Sequence, residues 1–307
     1  MCIMSKRCNA VIIYLSRKQD INDLKKNLRQ LHKYFNKNYK YPIIIFHDDL
    51  SEGDEKIFLK KYSNIKFEYI KFEIPSWIDK NKSIFSPKHI GYKNMCRFFS
   101  GELFKHKAIK KYDWYWRLDS DSFFHSYINY DIFKFMKKKN YVYGYLGENL
   151  IKDKPNVVKG LWDLTKKYIM DNNIQPTYLY EYLDNDGNWD RSLYYTNFEI
   201  SNLDFWRSNE YMKYFNTIDK NGGIYYHRWG DHVIHFLALS MFVDKNKIYC
   251  FKDIDYSHQH FRPNKKRLLT PIWKILLKSI LFREFSEKLS KVILSLIKKK
   301  ITINVNN

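Results

Sequence analysis

At 307 residues, 45% of them hydrophobic, the chain is long enough to bury a full core as one large domain with at most an appendage. A formal net charge of +21 calls for an anionic partner, and phosphates, a membrane surface or nucleic acid each qualify. Four cysteines without a CxxC pair exclude a disulfide scaffold, and no linker-like stretch or internal repeat divides the chain.

The N-terminal 18 residues carry only a short apolar run broken by charge, so neither a signal peptide nor a transmembrane anchor is expected there. Asn9 to Leu15 (NAVIIYL) reads as a buried first strand. Asp20 to Tyr34 follows with Ile21, Leu24, Leu28 and Leu31 at helical spacing. Tyr41 to His47 and Ile65 to Phe72 read as the second and third strands. Residues 75 to 90, with Pro75 and Pro87, read as a loop. A helix from Tyr92 through Phe104 to Lys111 then feeds a strand that ends at Asp119 and Asp121. Beyond it come a helix over Ile132 to Lys139, a strand over Tyr141 to Leu146 and a helix over Leu161 to Met170. This alternation predicts an α/β fold with one mixed, mainly parallel sheet flanked by helices.

Ligands of such sheets bind beyond the carboxyl ends of the strands, where Asp119 and Asp121 fall. Two carboxylates one residue apart can both reach one hard divalent cation, which then bridges a diphosphate and neutralises a leaving group. Taken alone, the pair could equally cap a turn. Asp184 to Asp190 (DNDGNWD) hints at a calcium loop, but Trp189 and Tyr195 stand where an EF-hand needs Gly and Glu, so it reads as a turn.

Four segments add to the pair: YKNMCRF at Tyr92, YDWYWRLDSD at Tyr112, TNFEISNLDFWR at Thr196 and GGIYYHRWGDHVIH at Gly222. In order and spacing they resemble the α-1,2-mannosyltransferases of glycosyltransferase family 15, over about Asn9 to Phe261, with a weaker piece (PSWIDKNK) at Pro75. The resemblance implies a GT-A fold over residues 1–264, GDP-mannose as donor, manganese as cofactor and a glycan or glycoprotein acceptor. It assigns Asp121 to the metal, with Asp119 beside it and His258 of IDYSH as a further ligand. Ser120 departs from the family's Glu-Pro-Asp and bears on fine geometry. Glu199 of NFE is the carboxylate expected to face the anomeric carbon, and Asp231 that of RWGD. Tyr92 matches a donor-site tyrosine, and Arg17 the arginine near the nucleotide after the first strand. Cys96 matches the family's MCRF cysteine, while Ser192 lies where its partner is expected.

The chemistry is consistent with these roles, because a retaining transfer passes through an oxocarbenium-like sugar that a carboxylate can stabilise or attack. Structural alternatives stand beside them. Glu199 could be a buried carboxylate paired to Arg207 or Arg117, Asp231 the N-cap of a helix over Val233 to Phe242, and His260 the ligand in place of His258.

From Lys265 to Lys300 eleven Lys and Arg face two Glu, a net +9 of the +21, and apolar residues from Trp273 to Leu296 recur at helical spacing. Residues 265–307 thus read as a basic amphipathic tail, either lying on an anionic membrane or packed on the domain. Two rivals to a transferase remain. A nucleic-acid binder would suit the charge, but no recognised motif is present and none is expected as partner. A two-carboxylate glycoside hydrolase would need no metal.

Overall fold

The computed structural model describes residues 7–147 and 150–264. The expected tail, 265–307, lies outside the described residues. Eleven strands are present among the described residues: β1 Ala10–Leu15, β2 Ile43–His47, β3 Ile65–Tyr69, β4 Trp114–Leu118, β5 Ser122–Phe124, β6 Tyr143–Leu146, β7 Ile151–Lys152, β8 Ser192–Leu193, β9 Phe198–Asn202, β10 Ile248–Phe251 and β11 Tyr256–His258. Seven form one sheet in the order β10-β6-β9-β4-β1-β2-β3. β9 runs antiparallel to both its neighbours, β4 and β6, and every other pairing in that sheet is parallel. Short antiparallel ribbons pair β5 with β11 and β7 with β8.

The apolar run of β1 has a direct cause. Val11 and Ile13 enter the core on one face of the sheet and Ala10, Ile12 and Tyr14 the core on the other, so neither face tolerates a polar residue. Helices Leu161–Asp171, Asn209–Asn221 and Asp231–Phe242 cover the first face. Helices Ile21–Leu31 and Ile132–Lys138 cover the second. None of the described helices is long and apolar enough to cross a membrane.

The expected elements recur with shifted ends. β3 stops at Tyr69, and the stretch from there to residue 89 is irregular. A helix not expected from the sequence, Glu52–Leu59, starts at Ser51, whose Oγ accepts the Asp54 N–H at 3.3 Å in a capping box. The helix expected to reach Lys111 runs as Ile90–Arg97, widens over Phe98–Glu102 and ends at Lys105. The widening brings Gly101 against the Phe215 ring, where a Cβ would stand 2.1 Å from a ring carbon. DNDGNWD is a turn, with Asp184 accepting the backbone N–H groups of Asp186 and Asn188 at 3.0 and 2.8 Å. Cys8, Cys96 and Cys250 are unbridged thiols.

Candidate active site

β4 carries the chain outward at the carboxyl edge of the parallel strands, and Asp119, Ser120 and Asp121 form the turn into β5. Because β5 pairs with β11 in the register Ser122 opposite His258, the histidine is delivered from 137 residues further on to the same turn. Asp119, Asp121 and His258 each turn one ligand atom inward, all within 4.8 Å of one another. His258 Nε2 lies 2.9 Å from Asp121 Oδ1 and 3.6 Å from Asp119 Oδ2.

That spacing tests the fit of a cation. A hard divalent ion with ligand distances of about 2.1 Å needs neighbouring donors about 3 Å apart, as two carboxylates and an imidazole provide here. The outward-facing atoms are also held. Arg117 Nε stands 3.4 Å from Asp119 Oδ1, Gln259 Nε2 donates to Asp121 Oδ2 at 3.2 Å, and the Tyr195 hydroxyl meets His258 Nδ1 at 3.3 Å. Asp121 and His258 thus each keep one atom for the cluster while a hydrogen-bonding neighbour fixes the other side. Arg117 Nε makes no hydrogen bond among the described residues and meets Asp119 only as an ion pair. Ser120 is buried, and its Oγ has no partner among the described residues.

Electrostatics separate the two carboxyls. Burial raises Asp119 from its ordinary value, with Arg117 and His258 opposing. Burial pushes Asp121 the same way, but hydrogen bonds from His258 and Gln259 and the charge of His258 outweigh it, so Asp121 is lowered.

Arg117 ties the cluster to Asp231. Its Nη1 donates to Asp231 Oδ2, which also accepts the Thr196 hydroxyl at 2.7 Å, and its guanidinium lies 3.6 Å from the Phe99 ring centroid. Asp231 is not an N-cap. The helix begins at Asp231 itself with Gly230 as its cap, and the carboxylate turns inward to Arg117 because that charge needs an anion in the core. On its other side lie the Cys96 thiol and the Tyr92 hydroxyl, both pushed up by burial and close enough to be raised by the Asp231 charge as well. Arg228, at φ 70°, holds its guanidinium 4.4 Å from the Tyr92 ring. Tyr92 therefore borders the site, whereas Arg17 stands at the end of neighbouring β1, half-exposed and 3.4 Å from Asp20.

Glu199 is placed differently from its expectation. It is 0% exposed, and its carboxylate accepts the hydroxyls of Tyr115 and, at 3.0 Å, Tyr143, and faces His235 Nδ1 at 2.8 Å. Its partners are not arginines either, for Arg207 donates to the carbonyls of Tyr112 and Ile109. His235 Nε2 faces the Phe99 carbonyl at 3.2 Å, an acceptor only, so Nε2 carries a hydrogen. In this conformation Glu199, on β9, is fully buried and offers no surface to a sugar. His260 is exposed and outside the cluster.

Sequence reasoning missed Tyr195, Gln259, Thr196 and His235. The signal was proximity to quoted motifs: Tyr195 and Thr196 adjoin NFE, His235 closes GGIYYHRWGDHVIH and Gln259 follows His258. A cavity of about 290 Å³ lies apart from the cluster, beyond the end of β3.

The Asp231 carboxyl also sets an acid limit. Burial raises its pKa, but Arg117, His232, His235 and the Thr196 bond more than offset this, leaving it well below the carboxylate range. A depressed folded pKa contributes stability above the unfolded value of about 3.9 and loses it as pH falls toward the folded value. The urea midpoint should hold from pH 7 to 5 and drop below about pH 4. A midpoint unchanged down to pH 2 would contradict the pairing.

Comparison with known proteins adds to this geometry. A family model, glycolipid 2-alpha-mannosyltransferase, matches residues 3–269. Glycolipid 2-alpha-mannosyltransferase 2 of Candida albicans is 34% identical over 281 residues, covering 83% of the chain and 59% of its own length. The probable mannosyltransferase KTR3 of Saccharomyces cerevisiae is 33% identical, covering 83% of the chain and 68% of its own length. Among solved structures, core-mannan synthase A (CmsA/Ktr4) of Aspergillus fumigatus in its Mn/GDP form superposes with a TM-score of 0.78 at 30% identity, covering 85% of the chain and 77% of its own. Ktr4p of S. cerevisiae in complex with GDP gives 0.76 at 29% identity, covering 83% and 72%.

Proposed function

The chain belongs to the glycolipid 2-alpha-mannosyltransferase family, and from that premise we propose that it transfers mannose from GDP-mannose to a sugar hydroxyl, with retention and as an α-1,2 linkage. Its sheet, with the acid-x-acid turn beyond a central strand, is of the GT-A type. The observation that carries the reading is the convergence of Asp119, Asp121 and His258. Support comes from relatives of about the same fold solved with manganese and GDP or with GDP.

Asp119 Oδ2, Asp121 Oδ1 and His258 Nε2 would hold manganese, while Arg117, Gln259 and Tyr195 fix their orientation. Bound there, the cation supplies the positive charge that a diphosphate leaving group requires, so no separate general acid is needed. Arg117 shares one positive charge between Asp231 and Asp119, which leaves the cluster net negative and suited to a divalent ion. Tyr92, with Arg228 over its ring, lies beside Asp231, while Arg17 at the end of β1 would reach the nucleotide only by leaving Asp20. Glu199 enters this scheme as the fixed partner of His235.

The test is release of GDP from GDP-mannose by the full chain with manganese, beside GDP-glucose and UDP-linked sugars. Turnover of GDP-mannose alone, abolished by EDTA and restored by manganese, is the expected result. Glycoside hydrolysis that survives the chelator would favour the hydrolase, and absence of nucleotide binding would remove the transferase reading.

A further inference from the structure

The cavity of about 290 Å³ beyond β3 is built from segments that also frame the candidate site. Helix Ile90–Arg97 presents Tyr92 toward Asp231, while Asn94 and Arg97 line the cavity. Tyr225, which donates to Asn94 Oδ1 at 3.0 Å, lies just ahead of the segment leading to Asp231. The cavity opens where β3 ends, on the same carboxyl edge of the sheet as the Asp119 turn.

Its chemistry is specific in two ways. The charges in and around its wall cancel locally: Lys71 pairs with Glu73 at 2.6 Å, Arg97 with Asp219 at 2.8 Å and Glu102 at 3.3 Å, and Lys105 with Glu102 at 3.2 Å. Burial lowers the pKa of His106, so the imidazole is neutral near pH 7. On a chain of net charge +21, a charge-balanced cavity does not favour a phosphate. Hydrogen-bonding atoms are nevertheless left over, because Asn94 Nδ2, Glu102 Oε2 and His106 Nε2 have no partner among the described residues. Aromatic surface stands beside them in Tyr69, 64% exposed, with half-buried Phe72 next to it and the buried Tyr225 ring closing the floor. A ring face together with amide, carboxylate and imidazole groups suits a ligand with an apolar C–H face and a rim of hydroxyls.

We propose that this cavity is a sugar subsite, taking an uncharged hexose unit of a glycan remote from the hydroxyl that is glycosylated. Its link to acceptor binding rests on the transferase reading; its affinity for sugar does not. The test measures binding of α-1,2-mannotriose and of mannose 6-phosphate to the full chain by saturation-transfer NMR, with GDP release from GDP-mannose followed separately. The expected result is mannotriose binding that weakens at least fivefold in both Tyr69→Ala and His106→Gln, with GDP release unchanged and mannose 6-phosphate binding no tighter than mannotriose. Two variants are used because Tyr69 is a surface residue whose loss leaves the core intact. Absence of mannotriose binding, affinity unchanged in both variants, or preference for the phosphorylated sugar would overturn the subsite. Absence of GDP release in the wild type would instead count against the transferase reading and leave the binding result to decide the cavity.

Discussion

Asp121→Ala is expected to lower manganese-dependent GDP release at least about a thousandfold, because it removes one of two anionic ligands from a three-ligand site. Asp121 is the more accessible of the two, 35% exposed at the side chain, and its partners are one imidazole and one surface amide. Its removal should therefore shift the melting temperature of the metal-free protein by no more than about 2 °C, since surface substitutions stay within roughly 0.5 kcal/mol. Gln259→Ala provides the graded control. It leaves all three ligands in place and withdraws only the hydrogen bond to Asp121 Oδ2, so manganese affinity should fall about 10–100-fold while turnover recovers at saturating metal. Full activity of Asp121→Ala at low manganese would mean that the cation, if bound, lies elsewhere.

The second large effect is on stability. Arg117→Met is expected to cost about 3–5 kcal/mol, because it leaves the buried Asp231 carboxylate with Thr196 as its remaining hydrogen-bonding side chain. Methionine fills much of the space against Phe99, so the penalty reports the orphaned charge more than a void. The pH dependence separates the two causes. Without Arg117, burial becomes the dominant influence on Asp231 and lifts its folded pKa above the unfolded value. The deficit is then fully present at high pH and shrinks as pH falls through that raised value, the reverse of the wild type. Arg117→Met combined with Asp231→Leu should recover most of the stability and none of the turnover, as buried pairs replaced by apolar groups often do. Urea midpoints at pH 5 and pH 8 check both statements. A single variant with the same deficit at both pH values would show that packing, and not the unpaired charge, carries the loss.

Charge pairing of this kind explains which parts of the site the sequence conceals. A carboxylate is equally acidic in the sequence whether it faces solvent, a metal or a tyrosine. Asp119, Asp121 and Glu199 look alike on that basis, and their environments separate them. Glu199 lies opposite Arg117 in the β4–β9 pairing, yet its partners are Tyr115 on the neighbouring strand, Tyr143 on β6 and His235 from a helix 36 residues later. None of these follows from the apolar residues around NFE. Asp231 presents the opposite case. Its place before an apolar helix suggests a cap, but a cap needs its side chain over the helix's own N–H groups, and the buried Arg117 draws it away.

What the sequence determined by itself was local and periodic. The doubly buried β1, the helix at 21 and the acid-x-acid turn after an aromatic strand each follow from side chains whose pattern is written within a dozen residues. The order and spacing of four segments carried the family. The tertiary structure decided what depends on distant partners. Register between β5 and β11 brings His258 rather than His260 to the turn, and β9 runs against its neighbours. Whether a carboxylate meets solvent or three hydroxyl and imidazole donors was likewise settled only by folding. The physical reason is that burial and pairing fix the charge state and orientation of a side chain, and both are properties of neighbours drawn from anywhere in the chain.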